Sequence, residues 1–534
     1  MLKLGAACAL LVVMVAMAAT PARADDRRAA CNGARRCLSY MKVDAAGRRV
    51  APTFATPAAN QLVEMTPSAI EAVYAIDTTV DPHATVAVID AYGYSDLEAD
   101  LASYRSMFGL PACTSASGCL TIVNQDGSAS PLPGPPPDGD DWTFETALDV
   151  DMVSAACPLC KILVVEATDD LGTDDDLLVA NDTAATLGAA VISNSWSSGE
   201  NFSTKTEEAH LVHAGIAIFA STGDDGANKN GLYGLPSTSP HVIAVGGTSV
   251  VADPTQPRGF AETAWSDGGS YCSQAFAKPA FQTDSACAMR ATADVSAVAD
   301  GQVVVLNHGQ LEIAFGTSAA SPLVAAVFAL TGHAADGPDF PYAHATDFND
   351  VTGGSNGSCA TALCQTGAGW DGPTGNGTPI AALLGGAALP AFGMTPGSGD
   401  TVAPGFTIDV TCAPTDAATV QEIDLGIDGA QLASSATAPF SKQVPASLAD
   451  GTHQVFSRCV LSSGVVTGAI ADVTQAADSG GSGSAGSGGS GGTRGGGSTG
   501  GGGGGCDTSG GGVPVAPLLL GVGIAVLSIA RRRV

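Results

Sequence analysis

Gly316-Thr317-Ser318-Ala319-Ala320-Ser321-Pro322 sets a serine just after a glycine turn, at the mouth of the apolar run Pro322 to Leu330. Where such a run is helical, its unpaired backbone N–H groups and its dipole favour a developing anion beside Ser318. Glu145-Thr146-Ala147-Leu148-Asp149 spaces two carboxylates four apart. On a helix both point the same way, and carboxylates that close hold a proton between them. A serine hydroxyl is a poor nucleophile until a base takes its proton, and below about pH 5 a histidine is protonated and useless. A carboxylate still accepts there. The pattern predicts acyl-transfer chemistry with Ser318 as nucleophile, Glu145 as general base and Asp149 hydrogen-bonded behind it. Paired carboxylates also occur on solvated helix faces, but Leu148, Val150, Met152 and Val153 crowd this one with apolar neighbours.

Short apolar runs alternate with helical stretches from about Val86 to Leu330, the signature of an α/β fold: a parallel sheet flanked by helices. Strands are expected at Thr85 to Ile89, Ile162 to Val165, Ala190 to Ser193, Ile216 to Ser221, Val242 to Val245 and Gln302 to Leu306. Helices are expected at Asp96 to Phe108, Phe144 to Ala156, Asp175 to Leu187 and Ser321 to Thr331. Sites in such open sheets gather beyond the carboxyl ends of the strands. A different composition begins near Thr395. There Phe406 to Thr411, Val420 to Ile427, Lys442 to Val444 and His453 to Leu461 read as strands of a small Ig-like β-sandwich over 395–478.

The ends of the chain carry other signals. Lys3, the apolar run Leu10 to Ala19 and Ala22-Arg23-Ala24 read as a signal peptide over residues 1–24, followed by a short N-terminal segment over 25–64. Residues 479–512 are mostly Gly and Ser and are expected to form a flexible linker. Residues 513–534 comprise an apolar stretch, Val513 to Ala530, ahead of Arg531-Arg532-Arg533, at the short end of a membrane span. With Gly505-Cys506 before it, this tail resembles the myxobacterial-type C-terminal sorting signal. That resemblance implies a sorting or processing enzyme as partner, and a chain held at the cell surface or released outside.

The 534 residues include 52 acidic and 22 basic ones, a formal charge of -30 that argues against nucleic acid or an anionic membrane surface as main partner. Export permits disulfides, and the cysteines fall into neighbouring pairs: Cys31/Cys37, Cys113/Cys119, Cys157/Cys160, Cys272/Cys287, Cys359/Cys364 and Cys412/Cys459. Cys157-Pro158-Leu159-Cys160 has redox spacing, but its setting favours a structural bridge. Cys506 has no local partner.

The segment from about Met65 to Leu389 resembles the sedolisin family of serine-carboxyl peptidases, relatives of the subtilisins, at four separated places. Glu145 and Asp149 match its catalytic pair, Gly316-Thr317-Ser318 its nucleophile turn and Thr222-Gly223-Asp224 its oxyanion aspartate, with Asp225 as the neighbouring alternative. Asp350-Val351 and Gly367-Ala368-Gly369-Trp370-Asp371 match its calcium loop. The resemblance implies a subtilisin-like fold and Ser195 and Trp196 in the substrate-binding strand. It also implies one structural calcium on Asp350, Asp371 and the carbonyls of Val351, Gly367 and Gly369. Asp224 must be protonated to donate to an oxyanion, since a carboxylate would repel it.

Two departures stand out. Only about 60 residues separate the signal peptide from the first expected strand, where the family often carries a long inhibitory prosegment. Ser195-Trp196 is followed by Ser197 where the family has glycine, a side chain that would narrow the cleft or alter its preference. A subtilisin-type Asp-His-Ser site is the rival, because Ala87-Val88-Ile89-Asp90 looks like its aspartate strand; none of the eight histidines lies in a His-Gly-Thr context. The expected function is a secreted or surface-anchored endopeptidase acting on proteins or peptides at acidic pH. The alternatives are a catalytically inactive binding or adhesion protein on the same scaffold and an acyl hydrolase, the latter disfavoured because Gly-x-Ser-x-Gly is absent.

Overall fold

Runs such as Val86-Ala87-Val88-Ile89 and Ile162-Leu163-Val164-Val165 lack polar alternation, which suits strands covered on both faces. In the computed structural model, which describes residues 26–476 apart from 173–174, 229–232, 254–255, 257 and 429, these runs are buried and lie side by side in one sheet. Its order is Phe260–Ala264, Ile243–Ala252, Ala217–Ser221, Val191–Asn194, Thr85–Ala91, Lys161–Ala167 and Leu120–Asn124, with Val295–Val298 also pairing Ile243–Ala252. All pairs are parallel except that of Phe260–Ala264 at one edge. This is the subtilisin-like α/β arrangement. The sequence pattern missed Leu120–Asn124, Val295–Val298 and Phe260–Ala264.

One expected strand belongs elsewhere. Val303–Asn307 is not part of the parallel sheet but forms an antiparallel hairpin with Gln310–Phe315. The two turn residues, His308 (φ 48°) and Gly309 (φ 71°), both take the left-handed conformation that a tight two-residue hairpin requires. The sheet is completed by the N-terminal segment: Tyr40–Lys42 pairs with Gln310–Phe315, and Arg27–Ala29 pairs with Tyr40–Lys42. Residues read from sequence only as a short lead-in are therefore woven into the peptidase-like domain.

Two helices form the centre. Trp142–Ala156 starts two residues before the expected Phe144 and is buried along its whole length, with Asp141 capping the Phe144 amide. Thr317–Thr331 packs against it and is buried from Thr317 to Leu330. This helix begins four residues earlier than expected, with Pro322 inside it. A start at Ser321 would put Pro322 in the first turn; with the earlier start its missing N–H leaves the carbonyl of Ser318, four residues back, to accept from the Ser195 hydroxyl at 3.4 Å.

All six neighbouring cysteine pairs are bridged. The Cys157–Cys160 bridge joins the end of the Trp142–Ala156 helix to the Lys161–Ala167 strand, as a structural staple. The C-terminal domain is an Ig-like β-sandwich of a three-stranded sheet (Ala391–Thr395, Thr407–Ala413, Phe440–Gln443) and a five-stranded one ordered Thr401–Val402, Val466–Gln475, Gly451–Leu461, Val420–Ile427 and Ala430–Ser435. Cys412–Cys459 crosses between the sheets inside their shared core. Leu383, from the short helix Ala381–Leu384, packs into that same core, so the sandwich is rooted in the chain before Thr395. The signal peptide, Cys506, the 479–512 linker and the 513–534 tail lie outside the described residues. Among the described residues no helix is long and apolar enough to cross a membrane.

Closing a loop with a sequence separation of 47, Cys412–Cys459 restricts the unfolded sandwich strongly. Replacing both cysteines by alanine is expected to lower the stability of the sandwich by about 2–4 kcal/mol. Calorimetry would show this as a transition shifted down for residues 395–476 alone; an unchanged scan would contradict it.

Candidate active site

Ser318 sits in the first turn of the Thr317–Thr331 helix, behind Gly316 at φ 130°. A Cβ at Gly316 would lie 2.2 Å from the Leu38 carbonyl oxygen and 2.9 Å from Asp224 Oδ2, so glycine is required for both conformation and room. The Ser318 hydroxyl donates to the Ser195 carbonyl at 3.2 Å, and its backbone N–H donates to the Leu38 carbonyl at 3.1 Å. That amide belongs to a helix N-terminus facing a carbonyl oxygen, the arrangement that stabilises an oxyanion.

Glu145 and Asp149 occupy one face of the Trp142–Ala156 helix, and both are fully buried. Glu145 Oε2 accepts from the Ser39 hydroxyl, and Asp149 Oδ1 accepts from the Ser195 hydroxyl at 2.8 Å. Their other oxygens, Glu145 Oε1 and Asp149 Oδ2, have no partner among the described residues. Burial first raises the Glu145 carboxyl well above the usual range; the nearby Ser318 and Ser39 hydroxyls oppose this, and the charges of Asp90 and Asp224 add to it. Asp149 is raised well above its usual range by burial, then by Asp90 and Glu145, against its hydrogen bond from Ser195. Two acceptor oxygens buried without donors beside other carboxyls are the mark of protonated, proton-sharing acids.

Asp224 approaches from the carboxyl end of the Ala217–Ser221 strand. Its Oδ1 accepts from the Thr317 amide at 2.8 Å and the Thr317 hydroxyl at 2.9 Å, while Oδ2 is buried without a partner among the described residues and lines the same space beside Gly316 as the Leu38 carbonyl oxygen. Burial, with help from Asp225, pushes it up to about 7 despite the Thr317 hydrogen bonds. The neighbouring Asp225 turns outward to Arg36 (2.7 Å) and the Tyr233 hydroxyl. Geometry thus separates two aspartates that sequence left one residue apart. Asp90, at the end of Thr85–Ala91, is fully buried, and neither of its oxygens accepts a hydrogen bond among the described residues; burial and then Glu166 push it up to about 8.

Ser195 bridges the parts, reaching Asp149 through its hydroxyl and accepting from Ser318 through its carbonyl. Trp196 is buried, and Trp196–Ser197 pairs antiparallel with Arg36–Cys37. The Ser197 hydroxyl accepts from the Gly234 amide at 3.3 Å, and a strand lies along the cleft with Ser197 opposite Arg36, so this serine does not close it. Each of the eight histidines pairs with a carboxylate elsewhere, none of them Glu145, Asp149 or Asp224. The titratable side chains that surround Ser318 among the described residues are carboxyls and not imidazoles.

Residues 138–347 match the model of the subtilase family, and residues 394–456 match that of the bacterial Ig domain. Kumamolisin of Bacillus sp. (strain MN-32) is 32% identical over 349 residues, covering 57% of this chain and 60% of kumamolisin. Tripeptidyl-peptidase 1 of Bos taurus is 25% identical over 57% of this chain and 59% of its own length. A solved structure of Pseudomonas sedolisin, a serine-carboxyl proteinase, superposes with a TM-score of 0.53 at 24% identity, covering 61% of this chain and 98% of sedolisin. The domain that carries Ser318 is similar in sequence to kumamolisin and shares its fold with sedolisin. The chain spans less than two thirds of the length of kumamolisin and of the tripeptidyl-peptidase.

In the sedolisin-like domain, sequence reasoning missed the Arg36–Tyr40 segment, Thr317 as the group that aims Asp224, and the aromatic pair Tyr233 and Tyr271 that packs on Leu38. The closely spaced Cys31 and Cys37 were the one available signal that this segment is held rigid. A second group of expected residues meets in a separate loop. Asp350 Oδ2 accepts from the Gly369 amide at 2.8 Å, and Asp371 Oδ2 accepts from the Gly367 amide at 3.0 Å. Thr374 joins them, donating to Asp371 Oδ1 at 2.8 Å and to the Val351 carbonyl at 3.5 Å. Asp371 is pushed up to about 6 by burial, its backbone and Thr374 hydrogen bonds acting against this and the nearby Asp350 with it. Two neighbouring carboxyl groups with the Val351 carbonyl close by offer oxygen donors only, the kind a hard cation takes. Among the described residues no group of three or more His, Cys, Asp or Glu side chains could hold a metal, so an ion here would rely on carbonyls and water for the remaining ligands.

Asp224 and Asp90, pushed up to about 7 and 8, keep protons that the unfolded chain has already released above about pH 4. Each contributes stability that is fully present below its unfolded pKa and lost as pH rises through its folded value. The fold is expected to be most stable at acidic pH and to lose stability steadily from about pH 4 to 8. Melting temperatures of Ser318→Ala across that range test this; a maximum near pH 8 would contradict it.

Proposed function

We propose that the chain is a serine-carboxyl endopeptidase that hydrolyses protein or peptide substrates at acidic pH. One observation carries the reading: the Ser318 hydroxyl and amide lie among three buried, pKa-raised carboxyls while every histidine is engaged elsewhere. Glu145 takes the Ser318 proton as Oγ attacks the peptide carbonyl, and Asp149 shares the proton and holds Glu145 in place through their common burial. The Ser318 amide and protonated Asp224 donate to the oxyanion. Glu145 then gives its proton to the leaving amine, and water releases the acyl group by the same route. Ser195 and Trp196 form the edge on which an extended substrate pairs, as Arg36–Cys37 does. Asp350, Asp371 and the carbonyls of Val351, Gly367 and Gly369 would hold one structural calcium, which supplies charge balance for two adjacent carboxylates. Export with a signal peptide and surface retention through the C-terminal tail complete the reading; nucleic acid is not a partner. Full inactivity of the purified chain would favour the adhesion reading instead.

The working form needs Asp224 protonated, so activity is expected to decline as pH rises through about 7. Loss of that donor is worth roughly a hundredfold in rate. Ser318→Ala and Glu145→Ala should each abolish degradation of unfolded protein without adding to one another. Asp224→Asn should keep partial activity and flatten the alkaline decline, since an amide donates at any pH. A wild-type profile rising to an alkaline maximum would refute the carboxyl mechanism.

Calcium that binds only the native loop stabilises it by mass action. Excess calcium should raise the melting temperature, chelator should lower it, and Asp371→Ala should mimic chelation. Superimposable scans would remove calcium from the reading.

A further inference from the structure

Residues Arg36 to Leu38 lie along the Trp196–Ser197 edge as an extended peptide would. Arg36 is opposite Ser197, Cys37 is opposite Trp196, and the Leu38 amide donates to the Ser195 carbonyl at 3.0 Å. The Leu38 carbonyl accepts from the Ser318 amide at 3.1 Å, so Leu38 marks the position whose carbonyl a nucleophile at Ser318 would attack. Extended backbone sends alternate side chains to one side. Leu38 is buried against Tyr233 and Tyr271, and Arg36, two residues earlier, lies over the same Tyr233 ring at 5.3 Å. Cys37 between them is taken up by its bridge to Cys31.

Asp225 completes the place that Arg36 fills. Its Oδ2 pairs with an Arg36 guanidinium nitrogen at 2.7 Å and accepts from the Tyr233 hydroxyl, and the same nitrogen donates to that hydroxyl at 3.0 Å. The ring is held independently of Arg36: the Asp224 amide donates to the Tyr233 hydroxyl at 3.1 Å, and a Cβ at Gly223 would lie 2.5 Å from the ring, so glycine makes room for it. The Asp225 side chain is 32% exposed, which leaves it within reach of a peptide in the cleft. A carboxylate beside an aromatic face recognises a cation. A guanidinium lies flat on the ring while its N–H groups reach the carboxylate, whereas an ammonium acts as a point charge, and an acidic side chain would meet like charge.

We propose, resting on the serine-carboxyl reading, that Asp225 and Tyr233 form a subsite for a basic side chain, arginine above lysine, two residues before the residue whose carbonyl Ser318 attacks. Substrates are then distinguished at that position by charge and planarity. A partly exposed ion pair and a cation on a ring each contribute roughly two- to fivefold, so the combined preference for arginine over an uncharged side chain of similar length is about tenfold. Asp224 and Asp225 thereby divide the work of one turn: the inner carboxyl faces the nucleophile and the outer one selects the peptide.

The test uses the purified full chain at pH 5 to 6 with four peptides that share a leucine at the attacked position and differ only two residues before it, carrying Arg, Lys, Met or Glu there. Mass spectrometry locates the cut and gives kcat/KM, with Ser318→Ala as the blank. The Arg peptide should be cut about tenfold faster than the Met peptide, with Lys between them and Glu slowest. Asp225→Asn should shrink the Arg-to-Met ratio to about twofold, what the ring alone supplies, and Asp225→Arg should reverse the order of Arg and Glu. Ser318-dependent cutting with equal rates for Arg and Met would overturn the proposal and spare the peptidase reading. So would an Asp225→Asn variant that slows all four peptides together and keeps their ratios, since that is the mark of a merely structural residue. If neither these peptides nor unfolded protein is cut, the serine-carboxyl reading falls and the subsite falls with it.

Discussion

Everything at this site depends on carboxyl groups buried together out of water. An isolated carboxylate in such a place is strongly disfavoured, so the groups respond by keeping their protons. Glu145, Asp149, Asp224 and Asp90 are fully or almost fully buried, and all are raised above their ordinary range with burial as the leading cause. A proton held on Asp224 makes a hydrogen-bond donor of a residue that would otherwise repel an oxyanion. In the proposed mechanism a proton shared between Glu145 and Asp149 gives a base that works where imidazole is already charged. The expected stability of the fold at acidic pH and the proposed chemistry then share one cause, the burial of these oxygens.

That dryness is made by two central helices and the carboxyl edge of the sheet. Trp142–Ala156 is buried on every side, so Glu145 and Asp149 find their partners, Ser39 and Ser195, within the interior. The strands ending at Ala91, Asn194 and Ser221 deliver Asp90, Ser195 and Asp224 from below, the placement that open parallel sheets favour. Thr317 ties the last of these to the nucleophile turn through both its amide and its hydroxyl. Glycine at 316 is the one residue that lets carbonyl, carboxyl and serine meet there.

The N-terminal segment changes how the domain is understood. Its strands complete the sheet of the Gln310–Phe315 hairpin, and its next residues lie along the Trp196–Ser197 edge. The bridged six-residue separation between Cys31 and Cys37 stiffens this segment where it pairs along the Trp196–Ser197 edge.

The α/β class, the paired carboxylates, the serine turn and the neighbouring disulfides were legible in the sequence because each is a local pattern: period, spacing or proximity along the chain. The Ig-like sandwich was legible for the same reason, through alternation and turn residues, although half of its strands escaped the pattern. What tertiary structure alone decided were relations between distant residues. It assigned Asp224 rather than Asp225 to the interior, since only contact with Thr317 and Arg36 distinguishes them. It moved Val303–Asn307 out of the parallel sheet, because a left-handed His308-Gly309 turn commits that strand to its own neighbour. It carried Leu38 and Ser39 to residues more than a hundred positions away, Glu145 and Ser318. No spacing along a chain encodes such a meeting; it exists only once the sheet, the bridge and the two buried helices have closed around the same small volume.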